Sequence, residues 1–270
     1  MIDMNKLITF YKKRFDAFLL HLAEAKSLNE DNVHKLRVDI KYMRSLLLLV
    51  EALHLDTVII GKLLKQLRPV FKYSGRVRTI QVCKSLVLQH NVKNQEKVIE
   101  ILEENQSNIS NDFIVVLDKF KLDKFKKRME NLYQVLEGIS TPELREKADK
   151  IIHDELDLIY KLWASSRGEE NYHDIRKFFK IIKSLLQLLI AVESSDDLER
   201  EYNIVNETES TLGNWHDRDV LDKKLAKIQS FAPNPEFKSL VREIKNKNRS
   251  EKNAHIKEFK QQMLTNFLKH

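Results

Sequence analysis

The chain has 270 residues, and 47 Lys and Arg outnumber 40 Asp and Glu to give a formal charge of +7. Its 5 glycines and 4 prolines are too few for the turns of a β architecture, so a mostly helical fold is expected. The lone cysteine, Cys83, excludes an intrachain disulfide framework and a four-thiolate zinc site.

Helical periodicity predicts helices over residues 3–26, 30–54, 57–74, 76–90, 93–107, 110–137, 141–166, 170–193, 196–212, 215–230 and 235–268. The opening MIDMNKLITFYKKRF carries no basic-then-apolar targeting pattern, and no apolar run approaches the ~18 residues of a spanning helix. No membrane association and a reducing, cytoplasmic setting are therefore the expectations. Cys83 lies among Ile80, Val82, Leu86 and Val87, the neighbourhood of a buried structural thiol. The clearest break is Gly138 to Glu143, close to the midpoint. There Gly138 suits a helix C′ position, Pro142 suits the first helical position, and Ser140 with Glu143 matches a capping box.

A break at the midpoint invites a search for duplication. The stretch VHKLRVDIKYMRSLLLLV, starting at Val33, aligns with YHDIRKFFKIIKSLLQLL, starting at Tyr172. His34 meets His173, Arg37 meets Arg176, Lys41 meets Lys180, and Arg44 meets Lys183, while apolar positions such as Leu36/Ile175 and Ile40/Phe179 correspond. Downstream, the segment from Gly75 to Val82 aligns with that from Gly213 to Val220. The reading is an internal repeat, with residues 1–138 as the first helical bundle and 139–270 as the second, together one domain.

At about 100° per residue, the four basic positions of each helix fall within an arc of about 80°, flanking the apolar stripe. Beyond Ser45 the run Leu46 to Val50 is apolar all round, so that half of the helix is expected to be enclosed. Lys and Arg beside an apolar stripe commonly lay their stems over the core edge with heads in water. Recurrence of the same four positions favours a ligand site instead, because cations brought together repel unless an anion fills the space. Arg offers a planar fork, Lys a point charge and His a ring donor. Spread over about 15 Å of helix, such groups suit several phosphates in series.

Two copies of His-x-x-Arg-x-x-x-Lys-x-x-Arg/Lys and the segment from Gly213 to Val220 (Gly-x-x-His-Asp-x-Asp-Val) make the chain resemble the CHAD family, the conserved histidine α-helical domain. The resemblance covers essentially the whole chain. It implies an all-α fold of two bundles related by a pseudo-twofold axis around a basic central cavity or cleft, and non-catalytic binding of inorganic polyphosphate. It carries His34, Arg37, Lys41, Arg44, His173, Arg176, Lys180 and Lys183 over as site residues, with Arg78 and His216 at the basic position after each glycine. Asp217 and Asp219 match the family's acidic pair, but the first half has Thr79 and Gln81, so perfect symmetry is in doubt. Whether these acids orient site bases or only support the fold is open. Arg218 stands where an apolar residue is usual and is not assigned to the site.

Arg68, Lys72 and Arg76 form a further basic run, read as a solvated face with a secondary ligand contact as the alternative. Lys121 to Arg128 reads as an ordinary exposed helix face, with Leu122, Phe125 and Met129 on its apolar side. No catalytic, metal or cofactor constellation is expected. There is no Gly-rich phosphate loop, His153 with Asp157 is a common kind of surface pair, and Asp217 and Asp219 would project from different sides of a helix. The rival partner is a nucleic-acid backbone, for which aromatics interleaved with the strip would be wanted; the first strip has only Tyr42, and the second adjoins Phe178 and Phe179. A helical scaffold, or an accessory to a phosphate-metabolising enzyme, is a third class. Chain-length preference, oligomeric state and biological purpose, polyphosphate granules included, are open.

Overall fold

Helix-forming sequence with an apolar stripe every three or four residues folds here as one helix after another. The computed structural model describes residues 4–53, 55–138, 141–165, 168–193 and 195–268, and among them there is no strand. In chain order the helices are α1 (Met4–Glu24), α2 (Glu30–Ala52), α3 (Thr57–Gln89), α4 (Glu96–Asp118), α5 (Leu122–Glu137), α6 (Thr141–Ala164), α7 (Glu169–Val192), α8 (Asp196–Ser230) and α9 (Pro235–Asn266). A single 3-10 turn, Ala25–Ser27, joins α1 to α2. No helix is long and apolar enough to cross a membrane among the described residues.

Local signals start and stop several of these helices. The Asn29 side chain accepts from the Asp31 N–H at 2.9 Å and opens α2, with Glu30 and Asp31 placed favourably at the positive end of its dipole. Asn234 caps α9 by accepting from the Phe237 N–H at 2.8 Å, and Pro235 takes the first helical position. Gly168 precedes α7 at φ 59° and ψ −127°, a region open essentially to glycine alone. Gly138 does end α5, but at φ −85°, so its freedom to adopt left-handed backbone is not used. Pro142 lies in the first turn of α6; Ser140, and with it the expected capping box, lies outside the described residues.

Two expected breaks are absent. The segments 57–74 and 76–90 form the single helix α3, and 196–212 with 215–230 form the single helix α8. An isolated glycine costs a helix only about 1 kcal/mol relative to alanine. Packing on either side outweighs that: Ser74 and Val77 flank Gly75 fully buried, and Leu212 and Trp215 do the same for Gly213. A third expectation shifts. The break placed near residue 108 lies instead between Asp118 and Leu122, because Val98, Leu102, Phe113 and Leu117 keep one buried stripe through the polar middle of α4.

The chain divides into two compact units, Met1–Ser74 with Phe113–Asn206, and Gly75–Asp112 with Glu207–His270. Each unit thus draws on both sides of residue 138. In the first, α1 packs on α2, α6 on α7, and α7 also touches α1 and α2. Phe15, Phe18, Phe120 and Phe125 form an aromatic cluster with centroids 5.2–5.9 Å apart. The apolar run of α2 is enclosed as expected, with Leu46, Leu47, Leu49 and Val50 buried. The second unit has its own core, including Ile80, Val87, Leu102, Leu221, Leu225 and Ile244. Cys83 belongs to that core, and burial pushes its thiol up to about 12.

Candidate functional site

On α2 the stripe Val33, Leu36, Ile40, Met43 and Leu47 is buried. Beside it, Arg37 and Lys41 are half-buried while His34 and Arg44 are exposed. On α7 the stripe Tyr172, Ile175, Phe179, Ile182 and Leu186 is buried, and His173, Arg176, Lys180 and Lys183 are all half-buried. The strips therefore flank the core, as the periodicity requires, and the second sits deeper than the first. Both belong to the first compact unit, on helices that pack against one another.

Arg37 is held in place by α3. Its Nη1 donates to the Phe71 carbonyl at 2.8 Å and to Ser74 Oγ at 3.3 Å. Its guanidinium carbon lies 4.4 Å from the Phe71 ring centroid, and that of Arg44 lies 5.1 Å from the same ring. One aromatic side chain thus carries the guanidinium groups from both ends of the arginine pair. The sequence reading missed Phe71 because it comes from another helix; the signal available was its place inside the basic run Arg68, Lys72, Arg76. Those three are exposed.

Several carboxylates on the two helices are engaged outside the strips. Asp31 pairs with Lys35 at 2.5 Å and Asp174 with Lys177 at 2.6 Å. Asp39 is buried on the opposite side of α2, where its carboxylate lies 2.5 Å from His21 Nδ1 and 4.0 Å from Arg14. Burial raises the Asp39 carboxyl, and His21 and Arg14 offset only part of that rise. The Arg14 guanidinium also stacks on Tyr42, 4.0 Å from the ring centroid. Tyr42 is itself buried, which leaves it unsuited to stacking with a base.

Arg78 on α3 and His216 on α8 are both half-buried and both fall in the second unit. Of the neighbouring acids, Asp219 is buried and accepts from Lys252 at 2.8 Å and pairs with Lys223 at 2.7 Å. Burial alone would raise its carboxyl, but the two lysines outweigh that and hold it below the usual range. Arg218 grips Glu251 Oε2 through Nε at 2.9 Å and Nη2 at 2.5 Å, so it ties α8 to α9. These contacts give Asp219 and Arg218 structural work inside the second unit.

The family model for the CHAD domain matches residues 10–226. The chain belongs to the CHAD family. Polyphosphate binding is a general property of that family. The crystal structure of the CHAD domain from the plant Ricinus communis is similar at a TM-score of 0.72 and 12% identity, covering 97% of this chain and 90% of that one. PptA from Streptomyces chartreusis is similar at a TM-score of 0.62 and 14% identity, covering 98% of this chain and all of that one (100%). At such identities the likeness speaks for the fold, and it extends the all-α CHAD architecture over α9, beyond the family match. No curated protein matches the chain.

Proposed function

We propose that this CHAD protein binds inorganic polyphosphate without chemically altering it. His34, Arg37, Lys41 and Arg44 on α2, with His173, Arg176, Lys180 and Lys183 on α7, would contact successive phosphates, and Arg78 and His216 are the candidate phosphate contacts of the second unit. The observation that supports this most is that two strips with the same four basic positions lie on α2 and α7, helices that pack against one another in one unit. The pairing of their equivalent residues is read as the product of an internal duplication. Arg37 and Arg44, steadied on Phe71, lose less freedom when they bind an anion.

Phe71 also supplies an aromatic that a base could want, which keeps a nucleic-acid backbone as the second reading. Arg37 already lies over that ring, and Phe179 is fully buried, so phosphates without bases are favoured. Titration with polyphosphates of defined length, against single-stranded RNA and DNA of equal charge, tests the choice. Polyphosphate should win the competition; equal or tighter nucleic-acid binding would overturn the assignment. Converting Arg37 and Arg176 together to Glu should abolish binding while helicity persists.

A further inference from the structure

The basic face of α5, read from sequence as solvated, forms one wall of a recess against the start of α3. This space of about 360 Å³ is lined by Ile59 and Lys62 from α3 and by Lys124, Lys127, Arg128 and Asn131 from α5. The α5 residues follow the spacing of a single helix face, and all of them belong to the first unit. No carboxylate lines the recess. Among the described residues, Lys62, Lys124 and Lys127 make no ion pair. Arg128 is anchored: its Nη1 donates to Gln66 Oε1, and Gln66 Nε2 donates to the Lys121 carbonyl at 3.2 Å. One guanidinium is therefore fixed at the wall while the lysines keep their reach.

The position of this charge along α5 is unusual. Lys124, Lys126, Lys127 and Arg128 occupy its first two turns, and Lys121 stands at the cap without a side-chain hydrogen bond to the helix. A helix N-terminus carries partial positive charge, and each cation there is disfavoured where an anion would be favoured. Only Asp123 opposes this crowding in the first turn. A bound anion would relieve both the lysine repulsion and the conflict with the dipole. The volume falls at the small end of the range of about 300–1,000 Å³ for small-ligand sites, which suits a ligand of a few phosphates.

We propose that the α3–α5 groove is a second site, separate from the α2 and α7 strips, for a short oligophosphate. Its four cations take the phosphate oxygens, with Arg128 as the fixed fork and Lys62, Lys124 and Lys127 closing around it. The test is lysine acylation by an N-hydroxysuccinimide ester, read residue by residue by mass spectrometry, with and without tripolyphosphate. Acylation of Lys62, Lys124 and Lys127 should slow severalfold, both in the wild type and in R37E/R176E, with K41Q/K180Q used instead if the charge reversal unfolds the chain. Unchanged acylation of these lysines would overturn the proposal, and so would protection that disappears with the strips. K124Q/K127Q alters only exposed positions, so helicity should persist while Lys62 loses its protection; protection retained at Lys62 would equally remove the groove as the site. Failure of polyphosphate binding at the strips is read from their own variants and leaves this outcome untouched.

Discussion

The guanidinium carbon of Arg37 lies 4.4 Å from the centre of the Phe71 ring, and Arg44 shares that ring at 5.1 Å. Each such contact contributes about 0.5–1 kcal/mol at a partly exposed site. Both contacts exist before any ligand binds, so Phe71→Leu should lower the melting temperature and weaken polyphosphate binding only severalfold, through the freedom the guanidinium groups regain. Calorimetric titration measures it, with a thermal melt run alongside to separate lost affinity from lost stability. Unchanged affinity would remove the ring from the binding apparatus.

The lysines should behave differently from the arginines. Lys41 and Lys180 act as point charges, so Lys41→Gln and Lys180→Gln should each lower affinity for polyphosphate of every length to a similar degree. Each should also reduce the slope of log affinity against log salt by roughly one. Titrations at four or five salt concentrations give the slope directly. A slope identical to the wild type would show that the substituted lysine contacts no phosphate.

Asp219→Asn separates support of the fold from binding. It removes a buried carboxylate that serves Lys252 and Lys223, at a cost of about 1–3 kcal/mol. The melting temperature should fall, while affinity for polyphosphate should stay within error of the wild type. A variant of full stability that binds poorly would reassign this acid to the site.

His90 sets a pH dependence of stability. Burial lowers its folded pKa below the ordinary 6.5, with Glu251 opposing only in part. The unfolded chain therefore binds the proton more readily, and the associated stability is present in full above pH 6.5. It is lost as pH falls from there through the lower folded value. Melts between pH 7.5 and 5 should show a decline in the wild type that is shallower in His90→Gln. Parallel curves would show that another group controls this window.

Two glycines should respond to alanine with opposite sign. A methyl group at Gly61 or at Gly168 would meet nothing within 4 Å. Gly61 lies within α3, so Gly61→Ala should stabilise the protein by roughly 0.5–1 kcal/mol. Gly168 sits at φ 59°, so Gly168→Ala should destabilise it by about 1–3 kcal/mol. Denaturant midpoints measure both.

What the sequence made legible is what helical periodicity controls locally. The register of the basic strips against the buried stripes of α2 and α7 follows from residues three and four apart, and the burial of Leu46, Leu47, Leu49, Val50 and Cys83 follows from the apolar runs that hold them. Continuity of α3 and α8 was not legible, because a glycine signals a break locally and the packing of Val77 or Trp215 that overrides it is set elsewhere. Phe71 and Ser74 escaped notice for the same reason: they reach Arg37 from 34 and 37 residues away. Likewise, the face from Lys121 to Arg128 is largely exposed, as its sequence indicates, but nothing local signals that Lys62 of α3 lines the same recess.

The depth of Cys83 has a practical use. Burial pushes the pKa of this sole thiol up to about 12, so very little of it is ionised at pH 8. It should be inert to maleimides and mild oxidants, so the native chain already serves as a labelling blank. A single cysteine introduced at an exposed position such as Lys127 or Arg44 could then carry a fluorophore or spin label without background. Occupancy of the α5 groove and of the α2 strip could be followed one at a time in otherwise native protein.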